Sequence, residues 1–386
     1  MAVIVGWAHG KFGKLAVPGI EGMMSEVIPA ALVHAGLGPE TVDAVVLGTF
    51  GGFAEQSFEA GLVGMSTPAL AAIPVVRVEN ACATGTAAIA AAIDLVDSGR
   101  AATVLVVGAE KMRCVTAEEA GRIMLRAVHV SEQKGRRHFA DVFGEIAATY
   151  FQRYGNRARE LAMIAAKNHE NAMDNPYAHL RQHLGVDFCA TESEGNPQVA
   201  GPLKRSDCAP ISDGAAALVI VADGMVAGFP RAIGFRGRGQ ASDTMALAAR
   251  EDVLAFAGAR RAWAAALTQA GVGVRDLSLV ETHDCFTIAE MIEYEAMGLA
   301  APGEGWKAVR EGLTARGGAL PVNPSGGLKA RGHPLGATGV SQHIMAAMQL
   351  TGEAGGMQVP GASLAGVFNR GGAGVVNYVS VLERVL

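Results

Sequence analysis

Cys82, in the segment Asn80-Ala81-Cys82-Ala83-Thr84, lies between a polar turn and a run of small apolar residues. A thiol on a turn that opens a helix sits at the positive end of the peptide dipoles, where its thiolate is stabilised and its pKa falls. That makes Cys82 a candidate nucleophile. Two later segments supply partners for it, His283-Asp284-Cys285-Phe286 and Gly332-His333-Pro334. Pro334 fixes the backbone after His333, and the glycines of the preceding loop, Asn323 to Arg331, let it approach a ligand, which suits an imidazole base held beside a thiol. His283 and Cys285 follow the strand-like Leu277 to Val280, at the C-terminal end where α/β proteins place ligand sites. The His283 N–H suits a thioester oxygen, Cys285 suits proton transfer to or from carbon, and Asp284 would orient the loop. Gly371, in Asn369-Arg370-Gly371-Gly372-Ala373-Gly374, offers a backbone N–H that would complete an oxyanion hole with that of Cys82. A nucleophile, a base and a second thiol are the parts of an acyl-transfer enzyme.

Other chemistries fit less well. His283 and Cys285 lack a second ligand pair at zinc-site spacing, so no metal site is expected. The Gly-rich string after Asn369 lacks the dinucleotide spacing and leads into a strand. Cys114, Cys189 and Cys208 read as buried structural thiols, and His169, His179 and His183 as surface or packing histidines. Lys134-Gly135-Arg136-Arg137-His138 is a basic stretch, either a solvated face or a contact for a cofactor phosphate. A net charge of -5 argues against a nucleic-acid partner. The uncharged stretch Ala60 to Val76 is short and carries Pro68 and Pro74, so no membrane span is expected. No signal peptide is evident after Met1, and five unclustered cysteines fit a reducing cytoplasm.

The elements that must position these residues form a half-hidden repeat. Ala30 to Gly38 reads against Ala265 to Gly273, each a helix end with a Gly cap followed by a strand. Thr84-Gly85 similarly answers Thr338-Gly339, and the strand-like Asp213 to Val221 answers Gly372 to Ser380. The spacing is far beyond a solenoid period, so two copies of one domain are expected. The halves differ between the strand-like Thr103 to Val107 and the closing strand near Leu218, where a helical insertion is placed at 113–210, with helices Phe139 to Tyr154 and Ala158 to Met173. The first half then covers 1–112 with 211–224, and the second 225–386. Alternating strands and helices predict mostly parallel α/β layers. The helix opening at Cys82 carries no charge from Ala83 to Ile93 and is expected to be buried on all sides, as is its counterpart from Gly336. Two such helices between two sheets make five layers. Half of the residues are hydrophobic and only 5% aromatic, so the core is built from Ala, Val, Leu and Ile, and 50 glycines permit close backbone approaches.

With these motifs the chain resembles a thiolase over nearly its whole length, and most closely the sterol-carrier-protein type and its bacterial relatives. The resemblance implies a five-layered αβαβα fold of two repeated halves with an inserted loop domain. It implies that Cys82 takes the acyl group, that His333 activates it, and that the His283 loop faces the thioester. Degradative and biosynthetic thiolases carry an Asn-Glu-Ala-Phe loop and a second catalytic Cys in a late Cys-x-Gly string. Here the loop reads His283-Asp284-Cys285-Phe286 and the string Asn369-Arg370-Gly371, so Cys285 inherits the proton-transfer role. Coenzyme A and acyl-CoA are then substrates, with no permanently bound cofactor, and Ser325, Gly326, Arg136 and Arg137 are candidates to hold them. The resemblance implies a homodimer or dimer of dimers, and some relatives work with a small OB-fold, zinc-ribbon protein. A non-thiolytic condensing enzyme with a Cys-His-His set is the alternative, disfavoured by Cys285. A non-enzymatic lipid-binding protein is disfavoured because the chain ends just after its last strand.

Overall fold

In the computed structural model, which describes Met1 to Leu386, the first half runs β1 (Ala2–His9), α1 (Ile20–Ala35), β2 (Ala44–Gly48), α2 (Leu62–Ser66), β3 (Val75–Val78), α3 (Thr84–Asp97) and β4 (Thr103–Glu110). An excursion follows through α4 (Ala117–Met124), α5 (Ala140–Tyr154), α6 (Ala158–Ala172), α7 (Val186–Ala190) and the small hairpin of β5 (Gln198–Ala200) and β6 (Leu203–Lys204). β7 (Gly214–Ala222) then closes the half. The second half repeats the plan with β8 (Ile233–Ser242), α8 (Ala257–Ala270), β9 (Leu279–Glu281), α9 (Thr287–Ala296), α10 (Gly305–Arg310), α11 (Leu335–Thr351), β10 (Leu364–Gly371) and β11 (Val376–Arg384). The repeat legible in the sequence shows at the ends of α1 and α8. Both stop at a glycine in the left-handed region, Gly36 at φ 73° and Gly271 at φ 67°.

The strands lie in the order β3-β2-β4-β7-β1-β8-β11-β10-β9, so the halves carry matching orders outward from their shared centre. β1 pairs with β8 at Val3 with Gly234 and Ile4 with Ile233, which joins the two expected sheets into one continuous sheet. It is mixed, not mostly parallel: β2 runs parallel to β3 and β4, and β10 to β9, while β7 and β11 are antiparallel to both of their neighbours. The reason is clearest at β10 and β11, which are joined by a tight turn through Gly372 and Gly374, both at positive φ. A hairpin of that kind can only pair antiparallel.

Side-chain alternation sorts the strands onto two faces. In the first half Val45, Leu47, Leu105 and Val107 pack under Met24, Ile28 and Leu32 of α1. Their neighbours Val46, Val104 and Val106 pack against Ala88, Ala92 and Ile93 of α3 and Val340 and Ile344 of α11. In the second half Val379 and Val381 pack under Ala262, Trp263 and Ala266 of α8. The layers are therefore α1, half-sheet, α3 with α11, half-sheet, α8. The two central helices touch backbone to backbone: a Cβ on Gly85 would lie 2.8 Å from Gly336 O and Gly339 N. α11 is buried along nearly its whole length, but α3 leaves Ala90 and Ala91 half-buried and Asp94 exposed. The all-round burial expected over Ala83 to Ile93 fails at Ala90 and Ala91, which α11 and strands β1, β2, β3, β4 and β7 leave partly exposed. No helix is long and apolar enough to cross a membrane.

Candidate active site

The turn before α3 is strained. Ala81 has φ 50°, an uncommon conformation for a residue with a Cβ. It is held there by a local lattice: Thr84 Oγ1 donates to Ala81 O (2.6 Å), Asn80 N donates to Thr84 Oγ1 (2.8 Å), and Asn80 Nδ2 donates to the Tyr378 hydroxyl (2.8 Å). The helix itself begins at Thr84, two residues beyond the thiol, and Cys82 is only 7% exposed. Burial pushes its thiol up to about 11, against the opposing pull of the Arg370 guanidinium and the amides of Gly372 and Cys82 itself. The lowered pKa expected from the helix dipole does not hold, because desolvation outweighs it.

Three loops converge on this sulfur. Cys82 Sγ and one ring nitrogen each of His283 and His333 lie within 4.8 Å of one another. The rings stand edge to face with centroids 5.0 Å apart. Sequence spacing hid this trio, since each member comes from a different loop. Hydrogen bonding distinguishes the two imidazoles. Thr338 spends its one proton on Pro334 O (2.9 Å), so its oxygen accepts from His333 Nδ1 (2.7 Å), leaving His333 Nε2 a bare acceptor. Asn369 Oδ1 accepts from Thr86 Oγ1 (2.9 Å), so its amide nitrogen donates to Cys82 O (3.1 Å) and to His283 Nδ1 (2.9 Å), leaving the proton of His283 on Nε2. Both Nε2 atoms are buried without a partner. Burial, helped by nearby Arg370 and Arg331, holds His333 down to about 3. Burial, followed by the His333 and Arg370 charges, keeps His283 well below its ordinary range. Two neutral rings therefore face one sulfur, one as acceptor and one as donor.

Cys285 lines the same cavity, 5% exposed, with its thiol pushed far up by burial. Asp284 beside it accepts from the backbone of Leu328 (2.6 Å) and Lys329 (3.1 Å) and from Asn168 Nδ2 (2.7 Å), tying this loop to the one that carries His333. The cavity, of about 200 Å³, is largely apolar. Met112, Met124, Phe139, Ile211, Phe286 and Leu335 are the large apolar side chains of its wall, with Cys82, Cys285 and His333 among the lining residues.

Other singled-out residues lie elsewhere. Ser325 is buried and donates to Glu281 Oε2 (2.7 Å), part of a cluster in which Glu281 pairs with Arg331 (2.9 Å). Gly326 packs so closely on α6 that a Cβ would lie 2.5 Å from Ala172 Cβ. Neither lines the cavity. Arg136 is bound to both oxygens of Glu145, and Arg137 is exposed beside Asp141. Gly371 packs on the Cys82 turn, where a Cβ would lie 2.3 Å from Asn80 O, and the amide of its neighbour Gly372 acts with that of Cys82 on the sulfur. Cys114 is exposed and not buried, and Cys208 is half-buried and lines the cavity. Sequence reasoning gave no role to Asn369, Thr338, Arg370 or Glu293. A charge at Arg370 inside an apolar strand was the one available signal.

Residues 2–224 match the family model described as "Thiolase, N-terminal domain", and residues 239–384 match "Thiolase C-terminal domain-like". The chain is 35% identical over 384 residues to an acetyl-CoA acetyltransferase of Methanothermobacter thermautotrophicus, covering 99% of each chain. It is 30% identical to sterol carrier protein 2 of Bos taurus, over 97% of this chain and 70% of that one. Among solved structures, the Ltp2-ChsH2(DUF35) aldolase superposes with a TM-score of 0.84 at 21% identity, covering 99% of this chain and 97% of that one. A monomeric SCP2-thiolase-like protein type 1 from Mycobacterium smegmatis gives 0.78 at 18% identity, covering 99% and 77%.

Proposed function

The chain belongs to the thiolase family, and on that premise we propose that it transfers an acyl group between a 3-oxoacyl-CoA and CoA through an acyl-Cys82 intermediate. One observation carries the reading: a thiol, an acceptor imidazole and a donor imidazole within 4.8 Å, beside a cavity that also holds Cys285. In the cleaving direction Cys82 Sγ attacks the 3-keto carbon as its proton passes to His333 Nε2. In this reading the amides of Cys82 and the Gly371-Gly372 turn receive the oxygen that becomes anionic, where one well-placed donor is worth about 3 kcal/mol of barrier. The bond between C2 and C3 breaks, its electron pair moves into the enolate held by His283 Nε2–H, and C2 takes the proton of Cys285. CoA thiol then gives its proton to the Cys285 thiolate and displaces Cys82 from the acyl group, and His333 returns its proton to the Cys82 sulfur. Reversal is a Claisen condensation.

The apolar wall supports an aliphatic acyl group. The uncovered edge of β3, where Val76 is 56% exposed, supports assembly with a second copy of the chain, which light scattering reads. The function is tested by incubating the protein with acetoacetyl-CoA and a longer 3-oxoacyl-CoA. CoA-dependent cleavage is expected, with an acyl mass adduct on Cys82 that vanishes, along with turnover, in Cys82→Ala. An adduct without CoA-dependent turnover would favour the non-thiolytic alternative, and no adduct at all would end the proposal.

A further inference from the structure

Arg370 is fully buried at the end of β10, and every nitrogen of its guanidinium is engaged. Nε donates to Glu293 Oε1 (2.8 Å), Nη1 to Gly372 O (3.2 Å), and Nη2 to Cys285 Sγ (3.3 Å). The rings of Phe143 and Phe256 lie 4.7 Å and 5.2 Å from the guanidinium carbon, so the side chain is clamped by aromatic faces as well as by hydrogen bonds. Glu293, also fully buried, is held in turn by Thr282 Oγ1 (2.7 Å). A buried carboxyl–guanidinium contact is a poor source of stability. Its placement against one particular sulfur asks for another reason.

Resting on the function proposed above, we propose that Arg370 is a positioning residue that keeps Cys285 able to release its proton, its guanidinium receiving the negative charge left on the sulfur, with Glu293 setting how much positive charge that sulfur feels. In the cleaving step the S–H bond of Cys285 breaks, the proton goes to C2 and the electron pair stays on sulfur. In condensation the Cys285 thiolate takes a proton from C2. Both directions pass through a thiolate in a cavity whose burial opposes it. Arg370 is the cation that donates to this sulfur. From the other elements packed there, Cys82, Glu293 and Asp284 act in the opposite sense, and His333 and His283 are neutral. Without Arg370 the thiolate would lose its hydrogen-bonded cation while Glu293 and Asp284 still opposed it.

The test uses the full chain with Cys82→Ala as background, so that iodoacetamide reports on Cys285 with no turnover required. Peptide mass spectrometry follows its alkylation from pH 7 to 10.5. Over the upper part of that range Glu293, raised to about 8 by burial, is ionised and opposes thiolate formation. Arg370→Met is expected to slow alkylation at pH 9 by about tenfold, the effect of removing one close opposite charge. Arg370→Lys is expected to restore part of the rate, and Glu293→Gln to raise it above that of the parent. A merely structural role would move both single variants the same way through altered access to the cavity. Should Arg370→Met fail to fold, Glu293→Gln decides alone: faster alkylation supports the proposal, and an unchanged or slower rate overturns it. Loss of thiolysis in the unmodified protein would count against the acyl-transfer reading, whereas opposite shifts in Cys285 reactivity would still show that Arg370 and Glu293 set its charge.

Discussion

At the residue scale the site works by giving two chemically identical rings opposite jobs. His333 and His283 are separated by one hydrogen bond each, to an acceptor oxygen in Thr338 and to a donor nitrogen in Asn369. Replacing Thr338 by valine keeps the shape but removes that acceptor, so Nδ1–H of His333 is stranded in a buried position. An unsatisfied buried donor costs about 1 to 3 kcal/mol, and the ring can escape it by moving its proton to Nε2, which destroys the base. Thr338→Val is therefore expected to lower kcat by roughly 10²-fold, the usual contribution of one positioned base, while KM for the acyl-CoA changes little. Thr338→Ser keeps the oxygen and is expected to restore most of the rate. Steady-state thiolysis of acetoacetyl-CoA measures both, and equal losses in the two variants would detach the hydroxyl from the mechanism.

At the element scale the site depends on how closely two helices meet. Cys82 precedes α3 and His333 precedes α11, so the crossing of these helices sets the distance between nucleophile and base. Gly85 and Gly339 make that crossing possible: a Cβ on Gly339 would sit 2.3 Å from Thr86 N and 2.5 Å from Asn369 Oδ1. Gly339→Ala must push the helices apart and break the Asn369 link to His283. Overpacking of this kind costs about 1 to 3 kcal/mol, read as a lower denaturation midpoint in urea, with an activity loss larger than the stability loss explains. Much of this frame was legible in the chain, because glycine caps, the paired Thr-Gly steps and uncharged small-residue helices are local patterns. The motif loops were legible too, since His beside Gly and Pro or beside Cys is a local constraint. What escaped was made by long-range contact. Arg370 finds Glu293 at 77 positions' distance and Asn369 reaches the Cys82 carbonyl across 287, and no spacing rule predicts such pairs. The thiol's direction of shift was misread for the same reason, as a helix start is visible in sequence and the desolvation around it is not.

At the scale of the whole molecule, burying so many titratable groups makes stability a peaked function of pH. Burial holds His9, His169 and His333 down to about 3 and His343 to about 4, so these rings stay neutral in the fold but bind protons near pH 6.5 once unfolded. Between about pH 3 and 6.5 the unfolded chain thus binds more protons at these sites, and their contribution makes stability rise with pH. Carboxyls act the other way. Burial raises Glu110 and Asp284 to about 7 and Glu293 to about 8, so the fold keeps protons that the unfolded chain has already lost above its ordinary carboxyl range. Their contribution falls as pH climbs from about 4.5 towards 8. Below pH 6.5 the more numerous histidines dominate, and above it they are neutral in both states while the carboxyls still titrate. The melting temperature is therefore expected to climb from pH 4.5, peak near pH 6.5 and decline towards pH 8.5. Scanning calorimetry across that range tests the balance, and a curve still rising at pH 8 would mean that the buried carboxyls are ionised in the resting fold. Glu293→Gln, which removes one of the three, is expected to flatten the alkaline decline while leaving the acid limb in place.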